Sequence, residues 1–117
     1  MKAELTIEES AKLIELGVDP KMASTGRVRE DEHTNKVSFY PIFSLTDILA
    51  LLPKMLTDRY GKNAPLGMEF DDDYMAWTTY YLGGGYVETQ TELIDSLYQL
   101  LCWVIENGYI DLKTNNQ

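Results

Sequence analysis

The sequence is poor in the residues that carry covalent chemistry. It has one cysteine, Cys102, and one histidine, His33, in 117 residues. A single cysteine closes no disulfide within the chain, and one set in an amphipathic run is a small buried hydrophobe, which points to the reducing cytoplasm. Long apolar runs are also missing. Leu93 to Ile110 is broken by Asp95, Gln99, Glu106 and Asn107, and Glu4, Glu8 and Glu9 interrupt the N-terminus. Neither a membrane span nor a secretion signal is therefore expected. Basic residues are scarce: Lys plus Arg is 10 against 19 for Asp plus Glu, a net charge of -9. That balance opposes direct binding to nucleic acid or to anionic lipid. No Lys or Arg falls between Asn63 and Leu112, while Glu69, Asp71, Asp72, Asp73, Glu88, Glu92, Asp95, Glu106 and Asp111 all do. No internal repeat or low-complexity tract is visible.

What is present builds one domain over residues 1–117, with 112–117 expected to fray. A hydrophobic content of 44% supplies enough apolar surface for a core. Thr6 and Glu9 form a capping box for a helix over 6–16, in which Ile7, Ala11, Ile14 and Leu16 recur at roughly helical spacing before Gly17. Asp19-Pro20 opens a short turn. Arg27-Val28-Arg29 and Val37-Ser38-Phe39-Tyr40 are β-prone runs, read as a loose hairpin or one irregular strand. Ser44 and Asp47 cap a second helix with Leu45, Ile48, Leu49 and Leu52 on one face, and Pro53 ends it. Lys54 to Tyr60 reads as a short helical continuation and Gly61 to Pro65 as a loop.

Leu66 to Phe70 alternates, and Tyr74 to Leu82 is aromatic and β-branched, with Asp71, Asp72 and Asp73 between them as a hairpin tip. Gly83, Gly84 and Gly85 turn the chain into a third strand over 86–89. The last helix, capped by Thr89 or Thr91, places Leu93, Ile94, Leu97, Leu100, Leu101, Val104 and Ile105 at 3.6-residue spacing. It stops at Gly108, after which Tyr109 and Ile110 fold back. The expected class is α+β: a three- to four-stranded antiparallel meander packed with about three helices, the C-terminal one long.

Two strings carry a resemblance. They are Ser44-Leu45-Thr46-Asp47-Ile48-Leu49-Ala50-Leu51-Leu52-Pro53-Lys54 and the stretch from Leu93 to Gly108, most specifically Leu101-Cys102-Trp103-Val104-Ile105-Glu106-Asn107-Gly108. The chain resembles small uncharacterised proteins of prophages and other mobile elements in Bacteroides-like gut bacteria. The resemblance implies a phage-associated, intracellular origin and brings no activity or site residue with it.

No catalytic constellation stands out. The glycine run lacks the Lys-Ser/Thr ending of a phosphate loop and precedes a strand. Asp71, Asp72 and Asp73 with Glu69 offer oxygen ligands, but their spacing is not that of a calcium loop, and a solvated turn accounts for them. His33 lies in a polar stretch away from the buried Cys102, and the two cannot complete a zinc tetrahedron. No catalytic residue, metal or cofactor is therefore expected.

The unusual feature is aromatic density. Phe70, Tyr74, Trp77, Tyr80, Tyr81 and Tyr86 fall within seventeen residues, six of thirteen aromatics. In an extended strand Tyr74, Ala76, Thr78, Tyr80 and Leu82 face one side, and Met75, Trp77, Thr79 and Tyr81 the other. One face packs under the final helix; the other is covered by the first two helices, buried in a homodimer or open. The expected site is an acidic, aromatic surface of Trp77, Tyr80, Tyr81, Tyr86, Asp71, Asp72 and Asp73 that binds another protein, of basic character. Alternatives are a small-molecule (sugar or nucleotide) binding protein or minor enzyme using the aromatic strand 74–82, with Glu69 or Asp73 supplying polar contacts, and a self-associating structural protein.

Overall fold

The computed structural model describes residues 1–57, 61–83, 86–110 and 112. The chain is α+β, and the described residues form three α-helices, a two-stranded antiparallel ribbon and a four-stranded antiparallel meander. Helix α1 spans Ile7–Glu15 and is followed by one 3₁₀ turn, Pro20–Met22. The ribbon is β1, Thr25–Glu30, and β2, Val37–Ile42; α2, Leu45–Leu51, follows. The meander runs in chain order through β3, Met55–Thr57, β4, Asn63–Asp71, β5, Ala76–Tyr81, and β6, Val87–Gln90. Helix α3, Leu93–Glu106, closes the fold. No helix among the described residues is long and apolar enough to cross a membrane.

The helix starts follow from their caps. Thr6 Oγ1 accepts the Glu9 amide at 3.1 Å, and Glu9 Oε1 accepts the Thr6 amide at 2.9 Å. Ser44 and Asp47 repeat the device for α2. Asp47 Oδ2 also accepts the Ser24 amide and hydroxyl, both at 2.8 Å, and so ties the chain entering β1 to α2. Burial alone would raise the Asp47 carboxyl, but its bonds from Ser44 and Ser24 outweigh that and hold it below the ordinary carboxylate range. A lowered pKa stabilises the fold above the unfolded value of about 4, and the gain is lost as pH falls through the folded value. Asp47→Ala is expected to cost about 0.5–2 kcal/mol at pH 7, the range for a lost N-cap partner, and to flatten the acid limb of a stability-against-pH curve.

Helix ends follow from glycine. Gly108 has φ +75°, its amide bonds to Ile105 O at 3.1 Å, and the Tyr109 amide bonds to Val104 O at 3.0 Å. These are the two bonds of a left-handed C-terminal cap. They fold Tyr109 back over Trp103, with ring centroids 5.2 Å apart.

Helix α3 is the centre of the core. Ile94, Leu97, Leu100, Leu101 and Val104 are fully buried, and Tyr98 and Cys102 nearly so. The sheet lies on one side of it, and α2 packs on another. Lys2 binds Glu9 of α1 at 2.9 Å and Asp95 of α3 at 2.6 Å.

Several expectations are corrected. Met55–Thr57, expected to be helical, is strand β3 paired with Asn63–Pro65, expected to be loop. Pro53 leaves Leu52 extended, with ψ 127°, and Leu56 then enters the core between two exposed neighbours. The remainder of that expected helix, residues 58–60, lies outside the described residues. Pro65 is tolerated because β4 changes partners there, from β3 to β5. Leu49 is exposed because α2 ends after two turns, and Ala11 is exposed because Ser10 and Leu13 centre the buried stripe of α1. Ser10 is admitted there by accepting the Phe43 amide at 3.2 Å. Glu92, not Thr89 or Thr91, caps α3; its carboxylate accepts the Lys2 amide at 3.1 Å and none of the helix amides. The β1–β2 hairpin is regular through six residue pairs. Leu112, expected to fray, packs on the core beside Gly17. Gly84, Gly85, Asp111 and the tail 113–117 lie outside the described residues.

Candidate functional site

The β4–β5 register decides which aromatics share a surface. Phe70 pairs with Trp77, Met68 with Thr79 and Leu66 with Tyr81; between them Asp71 pairs with Ala76, Glu69 with Thr78 and Gly67 with Tyr80. Successive pairs alternate faces. Thr79 Oγ1 lies 2.7 Å from Ser96 Oγ, which in turn donates to Glu88 O at 2.8 Å. Trp77, Thr79 and Tyr81 are therefore on the α3 side, and Thr78 and Tyr80 on the opposite side.

The expected site residues consequently divide. Tyr81 is 2% exposed and donates its hydroxyl to Pro53 O at 2.6 Å; burial pushes its phenol well above the ordinary range. It is a core residue and presents nothing to a partner. Tyr86 is half-buried, stacked on Trp103 with ring centroids 4.8 Å apart and planes 4° from parallel. Its hydroxyl donates to Glu88 Oε2 at 2.6 Å, and this bond, with burial, pushes the phenol up to about 12. Trp77 is half-buried on the α3 side against Phe70, at 5.2 Å between centroids.

Tyr80 and Asp71 lie on the other face, which no described helix covers. Tyr80 lies flat across Gly67: a Cβ at that glycine would stand 2.5 Å from the ring. The Tyr80 hydroxyl donates to Glu69 Oε1 at 2.9 Å, a bond that raises its phenol pKa. Beside it Thr78 and Thr89 hydroxyls meet at 3.0 Å across β5 and β6, and Val87, opposite Tyr80, is largely exposed. The face thus has an aromatic anchor, a small hydroxyl ladder, an exposed aliphatic and two carboxylates, Glu69 and Asp71. None of its three strands carries a Lys or Arg, since none falls between 63 and 112.

The acidic tip adjoins this face. Asp71 Oδ1 accepts the Asp73 amide at 2.9 Å and the Tyr74 amide at 3.4 Å, which is the turn role that aspartate fills well. Met75, at φ +49°, completes the reversal into β5. Oxygens of Asp71, Asp72 and Asp73 lie within 4.8 Å of one another, all exposed. Their arrangement is that of an exposed, strongly negative turn.

Trp77 and Tyr81 point to one side of β5 and Tyr80 to the other, so they do not wall one cavity. One concavity, of about 100 Å³, is lined by Leu56, Asn63, Ala64, Leu82 and Tyr109. Another, about 280 Å³, lies along the ribbon by Arg29, Lys36, Ser38 and Tyr40. Both are smaller than the usual range for ligand pockets, which begins near 300 Å³. His33 sits on the exposed ribbon tip, its amide bonded to Asp31 Oδ1 at 2.8 Å, whereas Cys102 is buried on α3.

Sequence reasoning left Gly67, Thr78, Thr89 and Val87 out of the site. Their signal was the register: counting back from the Asp71–Asp73 tip pairs Gly67 with Tyr80. No family model, curated protein or solved structure matches the chain.

Proposed function

We propose that the protein is a non-enzymatic, phage-associated interaction protein that binds another protein through the open face of β4, β5 and β6. The partner is basic: Lys or Arg side chains ring a small apolar patch that covers Tyr80, and they meet Glu69, Asp71 and the Asp72–Asp73 tip. The observation that carries this reading is Tyr80 held flat over Gly67 by Glu69 on a sheet face that no described helix covers and whose own strands carry no Lys or Arg. A ring already fixed in place loses little entropy on binding, and tyrosine is a common interface anchor. Carboxylates around it raise the association rate with a basic surface and reject acidic ones. The resemblance to mobile-element proteins suits a small chain that occupies a host protein without doing chemistry on it.

The experiment is capture of basic proteins from host lysate at about 0.05 M and about 0.5 M salt, where surface charge pairs are respectively strong and screened. The wild-type chain is expected to retain a specific basic partner at low salt and release it at high salt. The Asp71→Asn, Asp72→Asn, Asp73→Asn triple variant should slow association about tenfold with little change in Tm, read by surface plasmon resonance. Undiminished association would take the acidic tip out of the site.

A further inference from the structure

Of the strand edges that are open among the described residues, two have complementary patterns. β1 has a neighbour, β2, on one side only. β4 meets β3 through Asn63–Pro65 and through the Leu66 amide, which bonds to Lys54 O at 2.9 Å; the outer edge of its Gly67–Asp71 part has no strand partner among the described residues. Along β1 the order is Arg27-Val28-Arg29; along β4 it is Glu69-Phe70-Asp71. Each edge alternates charge on one face with an exposed apolar side chain on the other: Val28 is 65% exposed and Phe70 46%.

We infer that β1 of one copy pairs with the β4 edge of a second copy, antiparallel, with Arg27 facing Asp71, Val28 facing Phe70 and Arg29 facing Glu69. Within each copy Val28 already pairs with Phe39 and Phe70 with Trp77. Joining the edges extends these into one apolar row, Phe39, Val28, Phe70, Trp77, across a continuous sheet. On the opposite face the two arginines meet the two carboxylates. Arg29, Glu69 and Asp71 have no ion-pair partner among the described residues; Arg27 shares Glu4.

The same charges forbid the alternatives. β4 against β4 sets carboxylate on carboxylate, and β1 against β1 sets arginine on arginine; like charges directly opposite destabilise a pair of strands. Charged edge residues are how natural sheets prevent edge-to-edge association, and here each guarded edge rejects its own copy and matches the other. Because the two edges are different surfaces, the contact is head-to-tail, closing into a ring or growing as a chain. It needs no partner but a second copy, so it stands or falls separately from the reading above.

The test is sedimentation of the purified full chain over a concentration series at low and high salt. Mass should rise with concentration at low salt and fall back with added salt. Arg27→Glu/Arg29→Glu and Glu69→Arg/Asp71→Arg, each made separately, should weaken association by about tenfold or more. Mixed in equal amounts, the two variants should associate again, since each then offers an edge that fits the other. Circular dichroism melting shows that both are folded, and the single Arg29→Glu variant spares the Glu4 ion pair if the double does not fold. A chain that stays monomeric at all concentrations, variants that associate like wild type, or folded variants that fail to associate when mixed would each overturn the inference.

Discussion

Replacing Tyr81 by alanine is expected to destabilise the protein by about 3–5 kcal/mol, the range for truncating a buried aromatic. Domains of this size have roughly 5–15 kcal/mol in total. The ring is one of the largest fully buried side chains, packed in the same core as Leu97, Leu100 and Leu101. Tyr81→Phe separates the ring from its hydroxyl. It keeps the packing but leaves Pro53 O without its 2.6 Å donor, a loss of about 1–3 kcal/mol. The hydroxyl also sets a pH limit. Because burial raises the phenol pKa, the folded state favours neutral Tyr81; its contribution is whole below the unfolded value of about 10 and lost as pH rises beyond it. Chemical denaturation of the three proteins at pH 7 and at alkaline pH checks both statements. Tyr81→Phe should lose less stability than wild type between them.

Replacing its neighbour Tyr80 should have the opposite profile. Tyr80→Ala is expected to leave the melting temperature within a few degrees of wild type and to weaken the basic partner about thirtyfold, as the loss of an anchor does. Its ring packs on Gly67, not on the core, and its one polar partner is the exposed Glu69. Tyr80→Phe keeps the ring and gives up the bond to Glu69, so it should fall between the two. Isothermal titration of the captured partner against the three proteins reads this directly.

That two adjacent tyrosines behave so differently marks where sequence reading stopped. The alternation of strand 74–82 placed them on opposite faces, and the 3.6-residue spacing of α3 placed a helix over one of them. Which one was open, because both faces carry aromatic rings and periodicity does not say which is inside. The decision is made by a polar pair, Thr79 with Ser96 at 2.7 Å, that no hydrophobic pattern records. β3 escaped for a related reason. Three residues are too few to show a period, and Met55–Thr57 is extended because it pairs with Asn63–Pro65, six to ten positions further along the chain. The caps at Thr6, Asp19 and Ser44 and the stops at Gly17 and Gly108 were legible because each depends on residues only two to five positions away.

On the proposed function the open face of β4, β5 and β6 binds the partner and the helix-side face does not. The most direct measurement is salt-graded capture with Tyr80→Ala and Trp77→Ala beside wild type, each first shown to be folded by its melting curve. Wild type and Trp77→Ala should retain the same basic partner at low salt, and Tyr80→Ala should lose it. Retention by folded Tyr80→Ala together with loss by folded Trp77→Ala would contradict the account and move the binding surface to the α3 side of the sheet.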